Sequence, residues 1–472
     1  MSNQKTNVIV GAGLNGLVLA RLLQKTTTRK IVLLDIAPTA GGLFQSWSYP
    51  KYGVYDYGVH VFQDTGVPAI ESVIREALPE DDWQVLHGFR REIAGLYFNG
   101  RLQTNSAFLD FRDHKDRDAL FGGMLKSLNT GFTTASDQMS FNRDISGKFG
   151  ERILKQIISP IVQGIYGHDV NDLQKLASTL TPFHRVIFCD ELVMPDLMKS
   201  EGIRGRLGYP EQRNLPPQYA SGLASYYPRK FGMQKVIDSL VASFIARGGE
   251  LHLGASIHPF EGKDQRISTL AFTKSGETSL IENVDRCIWT AALPSLFRNV
   301  LGQRQFSIEH DMPPQTWILN LATNQKPEMA DLYFYYSYLE GGNAFRISNP
   351  LNYSEDHSRV QDGGYPLCIE AVFPAGNQIS VVDMKKKLIE ELVKMKVIGQ
   401  DSVIFADLQR LSAGFPMPTL KNARGIAAMR NFIHEEGFKN VIPVGIQSES
   451  DLFYYRDVLR YGHQKAVEEY GD

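Results

Sequence analysis

The first 35 residues alternate between short, uninterrupted apolar runs and one longer segment with a helical period. Residues 7–10 read Asn-Val-Ile-Val and residues 31–34 read Ile-Val-Leu-Leu, and such β-branched runs are typical of buried strands. Between them, apolar side chains recur at helical spacing over residues 17–23. This order predicts a β-α-β unit, in which a helix connects two neighbouring strands.

The same two patterns return further along the chain. Residues 236–244 carry apolar side chains at helical spacing, and residues 248–257 follow as a turn and one strand. Residues 315–375 combine alternation with many aromatic residues, which predicts a sheet with one face on a cavity. Residues 440–445 predict a final strand, followed by a helix that starts near Asp457 and is capped by it.

Composition narrows the class of protein. The chain has 472 residues, of which 43% are hydrophobic and 22% charged, as in an ordinary globular protein with two or three domain-sized units. Its formal net charge is -2, so the basic excess typical of a nucleic-acid binder is missing. No run of apolar residues is long enough to predict a membrane span, and the oligomeric state stays open.

The cysteines point to a reducing compartment. Cys189, Cys287 and Cys368 are far apart, and none forms a C-x-x-C pair, so we expect free thiols that are mostly buried. The chain begins without a signal-peptide pattern, and we therefore expect a cytoplasmic protein. No His or Cys spacing predicts a metal site.

A G-x-G-x-x-G motif lies between the first strand and the first helix. Gly11 permits the tight turn, Gly13 lets a phosphate approach the backbone, and Gly16 lets the helix pack closely on the strand. Leu14 and Asn15 lie in the same turn, where the helix N-terminus offers N–H groups and a positive dipole end to the phosphates. The motif and its strand-helix-strand context predict a dinucleotide site.

The residues after the second strand distinguish FAD from NAD(P). Asp35 ends that strand, where its carboxylate can accept hydrogen bonds from ribose hydroxyls and would repel the 2′-phosphate of NADP. The pair Gly41 and Gly42 follows six residues later and resembles the second phosphate-contacting turn of the glutathione-reductase-like FAD fold. The expected cofactor is therefore FAD.

Residues 42–47 (Gly-Leu-Phe-Gln-Ser-Trp) and 52–62 resemble the flavin-containing amine oxidase superfamily, which includes protoporphyrinogen oxidase, the carotenoid desaturases and UDP-galactopyranose mutase. In that superfamily this segment reaches the flavin ring. The resemblance thus implies flavin contacts for Tyr57, Gly58, Val59 and His60. The run Tyr-Gly-Val-His-Val-Phe is similar to the Tyr-Gly-Pro-His-Ile-Phe of the mutases, but Gln63 stands where they have a second His.

Three later segments resemble the same superfamily. Residues 149–173 are similar to a helical segment of protoporphyrinogen oxidase-like proteins, which is diagnostic of family but not of chemistry. By the resemblance, the strand that ends at Ile257 returns to the dinucleotide-binding sheet and contacts the adenine, while Thr290 and Ala291 form a turn beside the cofactor.

The implied fold class is α/β, with a discontinuous, glutathione-reductase-like (Rossmann-type) FAD-binding domain. A second, α+β domain with a mixed or antiparallel sheet would bind the substrate. The implied FAD-binding domain comprises residues 1–66, 225–300 and 420–472, and the substrate-binding domain comprises residues 67–224 and 301–419. Periodicity and spacing alone predict only a two-domain α/β dinucleotide-binding protein.

The C-terminal segment resembles the mutases in part. Gly445 follows the final strand, and Asp457 and Val458 would bring a helix N-terminus to the ribityl end of the flavin. Residues 453–458 are similar to the Tyr-Tyr-Asp-Met-Asp region of the mutases, where paired tyrosines hold a nucleotide diphosphate. The tyrosine pair is shifted by one residue here, and Ile446 replaces the arginine that the mutases have after the glycine.

Arginines offer two interpretations. Arg346 lies inside an apolar run that resembles mutase-like flavoproteins of polysaccharide gene clusters. Its guanidinium would either anchor a substrate phosphate or carboxylate or pair with a structural acid. Arg204, Arg206 and Arg213 lie in one Gly/Pro-containing loop, which predicts a solvated face.

The expected function is that of an FAD-dependent oxidoreductase, which transfers hydride from a small organic substrate to flavin N5. The alternative is a redox-neutral UDP-sugar mutase that uses reduced flavin in glycan synthesis, with a nucleotide sugar as substrate. A third possibility is a non-catalytic flavoprotein. The candidate catalytic residues are His60 beside the flavin, Arg346 as a substrate anchor, and Tyr454 and Tyr455 as a cavity wall.

Overall fold

The structure is a computed structural model, and it includes every candidate site residue. The residues that it describes are 4–86, 93–128, 140–220, 223–230, 232–302, 304, 307–354, 356, 363–411, 414–450 and 452–470. The strands are β1 Thr6–Val10, β2 Lys30–Asp35, β3 Ser46–Tyr49, β4 Gly53–Asp56, β5 Phe62–Gln63, β6 Trp83–Leu86, β7 Ala94–Phe98, β8 Arg101–Gln103, β9 Leu109–Asp110, β10 Val186–Ile187, β11 Ser225–Pro228, β12 Glu250–Leu253, β13 Ala255–Ile257, β14 Leu270–Lys274, β15 Glu277–Ile281, β16 Val284–Trp289, β17 Gln315–Thr323, β18 Phe334–Ser337, β19 Ala344–Ser348, β20 Tyr365–Phe373, β21 Val403–Arg410 and β22 Val441–Pro443.

The helices lie between these strands and after the last one. They are α1 Leu14–Thr26, α2 Pro68–Arg75, α3 Arg117–Leu128, α4 Phe141–Phe149, α5 Glu151–Ile153, α6 Ser159–Tyr166, α7 Ala177–Leu180, α8 Met194–Leu197, α9 Glu201–Arg204, α10 Gln234–Ala246, α11 Leu293–Leu301, α12 Val381–Lys394, α13 Leu420–Glu436 and α14 Tyr455–Tyr470. A π-helical turn, Leu154–Ile158, joins α5 to α6. Within the described residues, no helix is both long and apolar enough to span a bilayer.

The first sheet has five strands in the order β12-β2-β1-β16-β22, and every pair in it is parallel. Val8 lies opposite both Val32 and Cys287, and all five residues of β1 are buried because strands flank it and helices cover it. Helix α1 connects β1 to β2, so the predicted β-α-β unit and the α/β fold class are confirmed. The strands come from three separate parts of the chain, while the domain boundaries stay a prediction.

The single strand expected over residues 248–257 is divided in the structure. Strand β12 joins the parallel sheet beside β2, whereas β13 pairs with β14 in a separate three-stranded antiparallel sheet. The division occurs at Gly254, which has a φ of +67° and donates its N–H to the carbonyl of Ala37 at 2.8 Å. The predicted return to the parallel sheet is therefore found for Glu250–Leu253, whereas the prediction of a single strand was wrong, because Ile257 lies in the antiparallel sheet.

The second large sheet has seven strands in the order β21-β17-β20-β19-β18-β7-β8. Its pairs are antiparallel except β18 with β7, which makes it a mixed sheet, as expected for residues 315–375 and their neighbours. Leu319 and Leu321 of β17 pack with Leu388 of α12 on one face. Thr316 and Ile318, on the opposite face, line a cavity, because successive side chains of a strand alternate between faces.

The loop that carries three arginines is not uniformly solvated. Arg206 is buried, because its guanidinium donates to the carbonyl oxygens of Gly147, Lys148 and Gly202 at 2.7–3.3 Å. Arg213 forms ion pairs with Glu211 and Asp331. The predicted solvated face was wrong for Arg206, whose bonds to three carbonyls compensate for its removal from water.

The three cysteines are free thiols. Cys287 and Cys368 are buried, and Cys189 is partly exposed. Burial raises the pKa of Cys287 to about 12, so this thiol stays protonated near neutral pH. The prediction of free, mostly buried cysteines agrees with the structure.

Candidate functional site

The first glycine turn is built from backbone contacts that leave no room for side chains. Gly11 has a φ of +110°, and a Cβ there would lie 2.5 Å from the Thr290 hydroxyl oxygen. A Cβ at Gly16 would lie 1.8 Å from the Gly11 carbonyl oxygen. The Thr290 hydroxyl is shared between the carbonyl oxygens of Val10 at 2.9 Å and Gly11 at 3.0 Å. These contacts explain why glycine is needed at both positions.

Gly13 faces open space instead. It precedes α1 with ordinary extended angles, and a Cβ there would meet no protein atom within 4 Å. No side chain caps the start of α1, which begins at the buried Leu14. The next residue, Asn15, has a buried side-chain oxygen with no hydrogen-bond partner among the described residues. The start of α1 thus has both the space and the uncapped N–H groups that a phosphate requires, while the Asn15 oxygen could accept a hydrogen bond only from a donor such as a hydroxyl.

The second glycine turn lies directly beside the first. Gly41 has a φ of +118° and donates its N–H to the carbonyl of Ala12 at 2.8 Å. Gly42 has a φ of +58°, and a Cβ there would lie 3.5 Å from the Cα of Gly13. The two turns that the sequence assigned to phosphate binding are therefore neighbours in the fold.

Asp35 links the two turns. One carboxylate oxygen accepts the N–H of Ala12 at 2.6 Å, and the other accepts the N–H of Ala37 at 2.8 Å. The carboxylate thus orders the loops on both sides of the expected ribose position. A carboxylate oxygen can accept more than one hydrogen bond, so these contacts leave acceptor capacity for ribose hydroxyls.

The C-terminal helix reaches the same area. A Cβ at Gly445 would lie 1.9 Å from the Ala291 carbonyl oxygen, so these two turns are in contact. Helix α14 begins at Tyr455, near the predicted start. Asp457 and Val458 donate their N–H groups to the Tyr454 carbonyl at 3.0 and 3.1 Å. Asp457 therefore lies inside the first turn, and the prediction that it caps the helix was wrong. Its carboxylate lies in the first turn, where the helix dipole favours a negative charge.

Several of the predicted site residues line one of two hollows, a crevice and a cavity. Asn15, Thr290 and Val458 line a narrow crevice between α1 and α14. A larger cavity of about 450 Å³ lies between the residues around His60, the seven-stranded sheet and the chain after Gly445. The candidates on its wall are Tyr57, Val59, His60, Arg346, Tyr454 and Tyr455. Of the 23 described residues that line it, nine are Phe or Tyr, which makes aromatic side chains the largest class on the wall.

Arg346 is held by an acid that the sequence analysis did not single out. Its Nε lies 2.6 Å from Glu370 Oε1 and its Nη2 lies 2.7 Å from Oε2, and Glu370 is buried. This is the structural pairing that the sequence left open as an alternative. The signal that could have found Glu370 is a single carboxylate inside an otherwise apolar strand, residues 365–373.

Glu370 also contacts the segment that contains His60. Its Oε1 accepts the N–H of Val59 at 3.1 Å. A Cβ at Gly58, which has a φ of +93°, would lie 2.7 Å from the Glu370 carboxyl carbon, so only glycine permits this approach. One carboxylate therefore joins the Arg346 side chain to the backbone beside His60.

His60 is a neutral imidazole at neutral pH. Burial lowers its pKa below the usual value of 6.5, although the nearby charge of Glu370 opposes that shift. Its ring packs against Phe44, with 4.9 Å between the ring centroids. Among the described residues, no cluster of His, Cys, Asp and Glu side chains is arranged to hold a metal ion.

The two adjacent tyrosines differ in their contacts. The Tyr455 hydroxyl accepts the N–H of Gln63 at 2.7 Å and donates to the carbonyl of Val61 at 3.2 Å, which fastens α14 to β5. Burial raises the pKa of Tyr454 to about 12, so its phenol remains protonated near neutral pH. Arg456, which the sequence analysis also missed, lines the cavity and donates to the side-chain oxygen of Gln63 at 2.6 Å.

Comparisons with known proteins agree with this architecture. Residues 9–77 match the family model described as an NAD(P)-binding Rossmann-like domain. A search of curated proteins finds no match.

Solved structures cover nearly the whole chain at low identity. A reduced UDP-galactopyranose mutase has a TM-score of 0.72 and 15% identity, covering 99% of this chain and 94% of its own. A protein from Exiguobacterium sp. 255-15, provisionally described as a protoporphyrinogen oxidase, has a TM-score of 0.66 and 13% identity, covering 99% of both chains. Putrescine oxidase bound to putrescine has a TM-score of 0.62 and 13% identity, also covering 99% of both chains. The chain therefore shares its fold with these three proteins over nearly its whole length.

Proposed function

We propose that the protein binds FAD and oxidises a small organic molecule by hydride transfer. The observation that carries this proposal is the aromatic cavity of about 450 Å³, in which Glu370 already neutralises Arg346. Such a cavity suits a substrate that is largely apolar at its reacting end. A bound flavin would supply the hydride acceptor, and an external two-electron acceptor such as dioxygen would take up the electrons in turn.

The proposed cofactor contacts follow the order of the FAD molecule. The pyrophosphate would lie between the two glycine turns, which contribute Gly11, Gly13, Leu14, Asn15, Gly16, Gly41 and Gly42. Asp35 would hold the ribose, and Ile257 would contact the adenine. The ribityl and ring end would meet Tyr57, Gly58, Val59, His60, Thr290, Ala291, Gly445, Asp457 and Val458. The open space at Gly13 and the uncapped start of α1 support this assignment. These contacts belong to the proposed FAD-binding domain of residues 1–66, 225–300 and 420–472.

The side chains of the cavity would position the substrate. Neutral His60 can donate or accept a hydrogen bond without placing a charge beside the ring. The Arg346–Glu370 pair would hold the segment of Val59 and His60 at a constant distance from the seven-stranded sheet. Tyr454 would close the cavity as a protonated phenol that donates a hydrogen bond.

A sugar-nucleotide mutase is the second candidate. It is favoured by the structural likeness to a reduced UDP-galactopyranose mutase and by the presence of Arg346, Arg456 and Tyr454 in one cavity. A diphosphate would require cationic donors. Both arginines already have protein partners, Glu370 for Arg346, and Gln63 and Asp457 for Arg456, and this weakens the case for a nucleotide sugar.

An anaerobic flavin spectrum distinguishes the two candidates. The purified protein is titrated with UDP-galactose and UDP-glucose, before and after reduction by dithionite. If the protein is an oxidoreductase, we expect UDP-sugars to leave the flavin spectrum unchanged and oxygen to reoxidise the reduced flavin rapidly. Amines or cyclic hydrocarbons are then expected to reduce the oxidised flavin. A shift confined to reduced protein, with sugar isomerisation and no net oxidation, would establish the mutase instead.

Two arginines of α14 provide a matched control. Arg456 lines the cavity, whereas Arg460 is exposed one turn later. Under the mutase alternative, Arg456→Ala weakens UDP-sugar binding at least tenfold while Arg460→Ala does not. Under the oxidoreductase proposal, neither variant changes the response of the spectrum to UDP-sugars.

The three free thiols support a location in a reducing compartment, and we infer the cytoplasm. Thiol alkylation in intact cells tests this inference. Complete modification of Cys189, the partly exposed cysteine, is expected without prior reduction. Modification that requires a reductant would contradict it.

A further inference from the structure

A second cavity lies in the helical part of the molecule. Its volume is about 430 Å³, and none of its lining residues lines the first cavity. Phe108, Met198 and Leu207 form a buried apolar floor. The Phe108 ring packs closely against Gly208, where a Cβ would lie only 2.4 Å from its Cδ2. The floor is therefore closely packed and suited to a flat apolar group.

The rim of this cavity is cationic and polar. Arg185 and Arg204 lie on it together with Tyr209, Gln212 and Tyr219. No acidic side chain is among the described residues that line the cavity. This differs from the first cavity, where Glu370 pairs with the arginine.

The two arginines are fixed by the backbone. Arg185 donates its Nε–H to the carbonyl of Arg204 at 3.2 Å, and Arg204 donates from Nη1 to the carbonyl of Met198 at 3.5 Å. Within the part of the chain that the structure describes, no carboxylate pairs with Arg204. Glu191 does not line the cavity, and its carboxylate accepts hydrogen bonds from the side-chain amide of Asn214. Arg204 thus keeps donors for an anionic ligand.

We propose that this cavity binds a small aryl carboxylate or aryl phosphate, at a site separate from the proposed flavin and substrate. The flat apolar body would lie on Phe108, Met198 and Leu207, and the anionic group would meet Arg204 and Arg185 at the rim. An apolar floor combined with the Arg204 guanidinium at the rim favours such a ligand, since a neutral ligand would make no charge-assisted hydrogen bond to Arg204 and a small inorganic anion would not cover the floor.

The probe for this site is 4-benzoylbenzoate, an aryl carboxylate that crosslinks to nearby C–H bonds under near-ultraviolet light. The flavin-loaded protein is titrated by calorimetry, irradiated, and digested for mass spectrometry. The expected result is saturable binding, with the label on peptides that contain residues 198–219. The neutral isostere 4-benzoylbenzamide is expected to bind at least tenfold more weakly.

Two variants complete the experiment. Arg204→Gln keeps a polar side chain of similar length and is expected to raise the Kd at least tenfold, whereas Arg101→Gln removes an exposed arginine that does not line the cavity and leaves the Kd unchanged. Labelling located only on residues 446–456, or equal affinity for wild type and Arg204→Gln, would overturn the proposal. We also expect Arg204→Gln to leave the flavin spectrum unaltered while it reduces labelling, because this site is separate from the proposed flavin site.

Discussion

The two large sheets present their polar groups in different ways. The parallel sheet offers backbone: Gly11 and Gly16 allow β1 and α1 to pack closely, and Gly13 leaves the uncapped start of α1 open, with no protein atom within 4 Å of a Cβ placed there. The seven-stranded sheet offers side chains: Arg346 and Glu370 project from neighbouring strands into an aromatic cavity. A site made of backbone depends on the absence of Cβ atoms, whereas a site made of side chains depends on paired charges.

This difference predicts how each site fails. A single methyl group at the wrong glycine disturbs the fold itself, because the obstructing atoms are backbone and cannot move away cheaply. A change in the charge pair disturbs a local network that the surrounding sheet still supports.

The largest effect is expected from Gly16→Ala. Its new Cβ would lie 1.8 Å from the Gly11 carbonyl oxygen, so α1 must move away from β1. We expect a loss of more than about 3 kcal/mol in the free energy of unfolding, at the upper end of overpacking costs. Urea unfolding followed by circular dichroism measures it. Near wild-type stability would contradict the close packing of helix and strand.

Glu370→Ala is expected to cost about 3 kcal/mol, because it leaves the Arg346 guanidinium without its carboxylate and the Val59 N–H without its acceptor. The same unfolding measurement applies. The double variant Arg346→Met/Glu370→Leu serves as control, since removing both charges restores much of the stability. If the single variant were as stable as the double variant, the pair would not connect the two segments.

Gly13→Ser separates stability from cofactor binding. Serine is a better N-cap than glycine by a few tenths of a kcal/mol, and its Cβ meets no protein atom within 4 Å. Its hydroxyl would occupy the N–H groups that the proposed FAD phosphates need. We expect unchanged or slightly raised stability of the apoprotein, with FAD affinity at least tenfold lower, about 1.4 kcal/mol. Full retention of flavin after dialysis would argue against phosphate binding at this turn.

The smallest effect concerns His60 and pH. Its folded-state pKa is lowered by burial, so the unfolded chain takes up the proton first as pH falls. The stability from neutral His60 is complete above the unfolded pKa of about 6.5 and is lost progressively below it. Between pH 7 and pH 6, wild type is expected to lose up to about 0.7 kcal/mol more than His60→Gln. Equal pH dependence of the two unfolding curves would exclude a depressed pKa.

The β-α-β unit and the two glycine turns were predictable from local pattern. A Cβ at Gly16 would collide with the Gly11 carbonyl within the same motif, and a Cβ at Gly11 would collide with Thr290, which follows the spatially adjacent strand β16. The motif describes this packing of turn, helix and sheet directly. One strand was predicted incorrectly. The positive φ of Gly254 divides it in two, and the second half pairs with a different sheet. Asp457 was also expected to cap α14, but it lies in the first turn of that helix.

The cavity was predictable only in outline. Its individual members His60, Arg346 and Tyr454 were candidates, but Glu370 was not, because its partners are distant along the chain. The Val59 N–H lies 311 residues from the carboxylate that accepts it. Arg206 was misjudged for the same reason, since two of the carbonyls that bury it lie 58 and 59 residues away.

Periodicity and short-range steric demands were enough to predict an α/β fold and the position of the dinucleotide turns, whereas the expectation of FAD came from the resemblance to a known superfamily. Which charges are paired and which remain available depends on contacts between distant parts of the chain. Arg346 and Arg204 both lie in partly apolar surroundings, yet among the described residues the Arg346 side chain meets the carboxylate of Glu370 and the Arg204 side chain meets a backbone carbonyl. A charge is stabilised by the groups that the fold brings within about 4 Å of it, and the residues next to it in the sequence do not specify those groups.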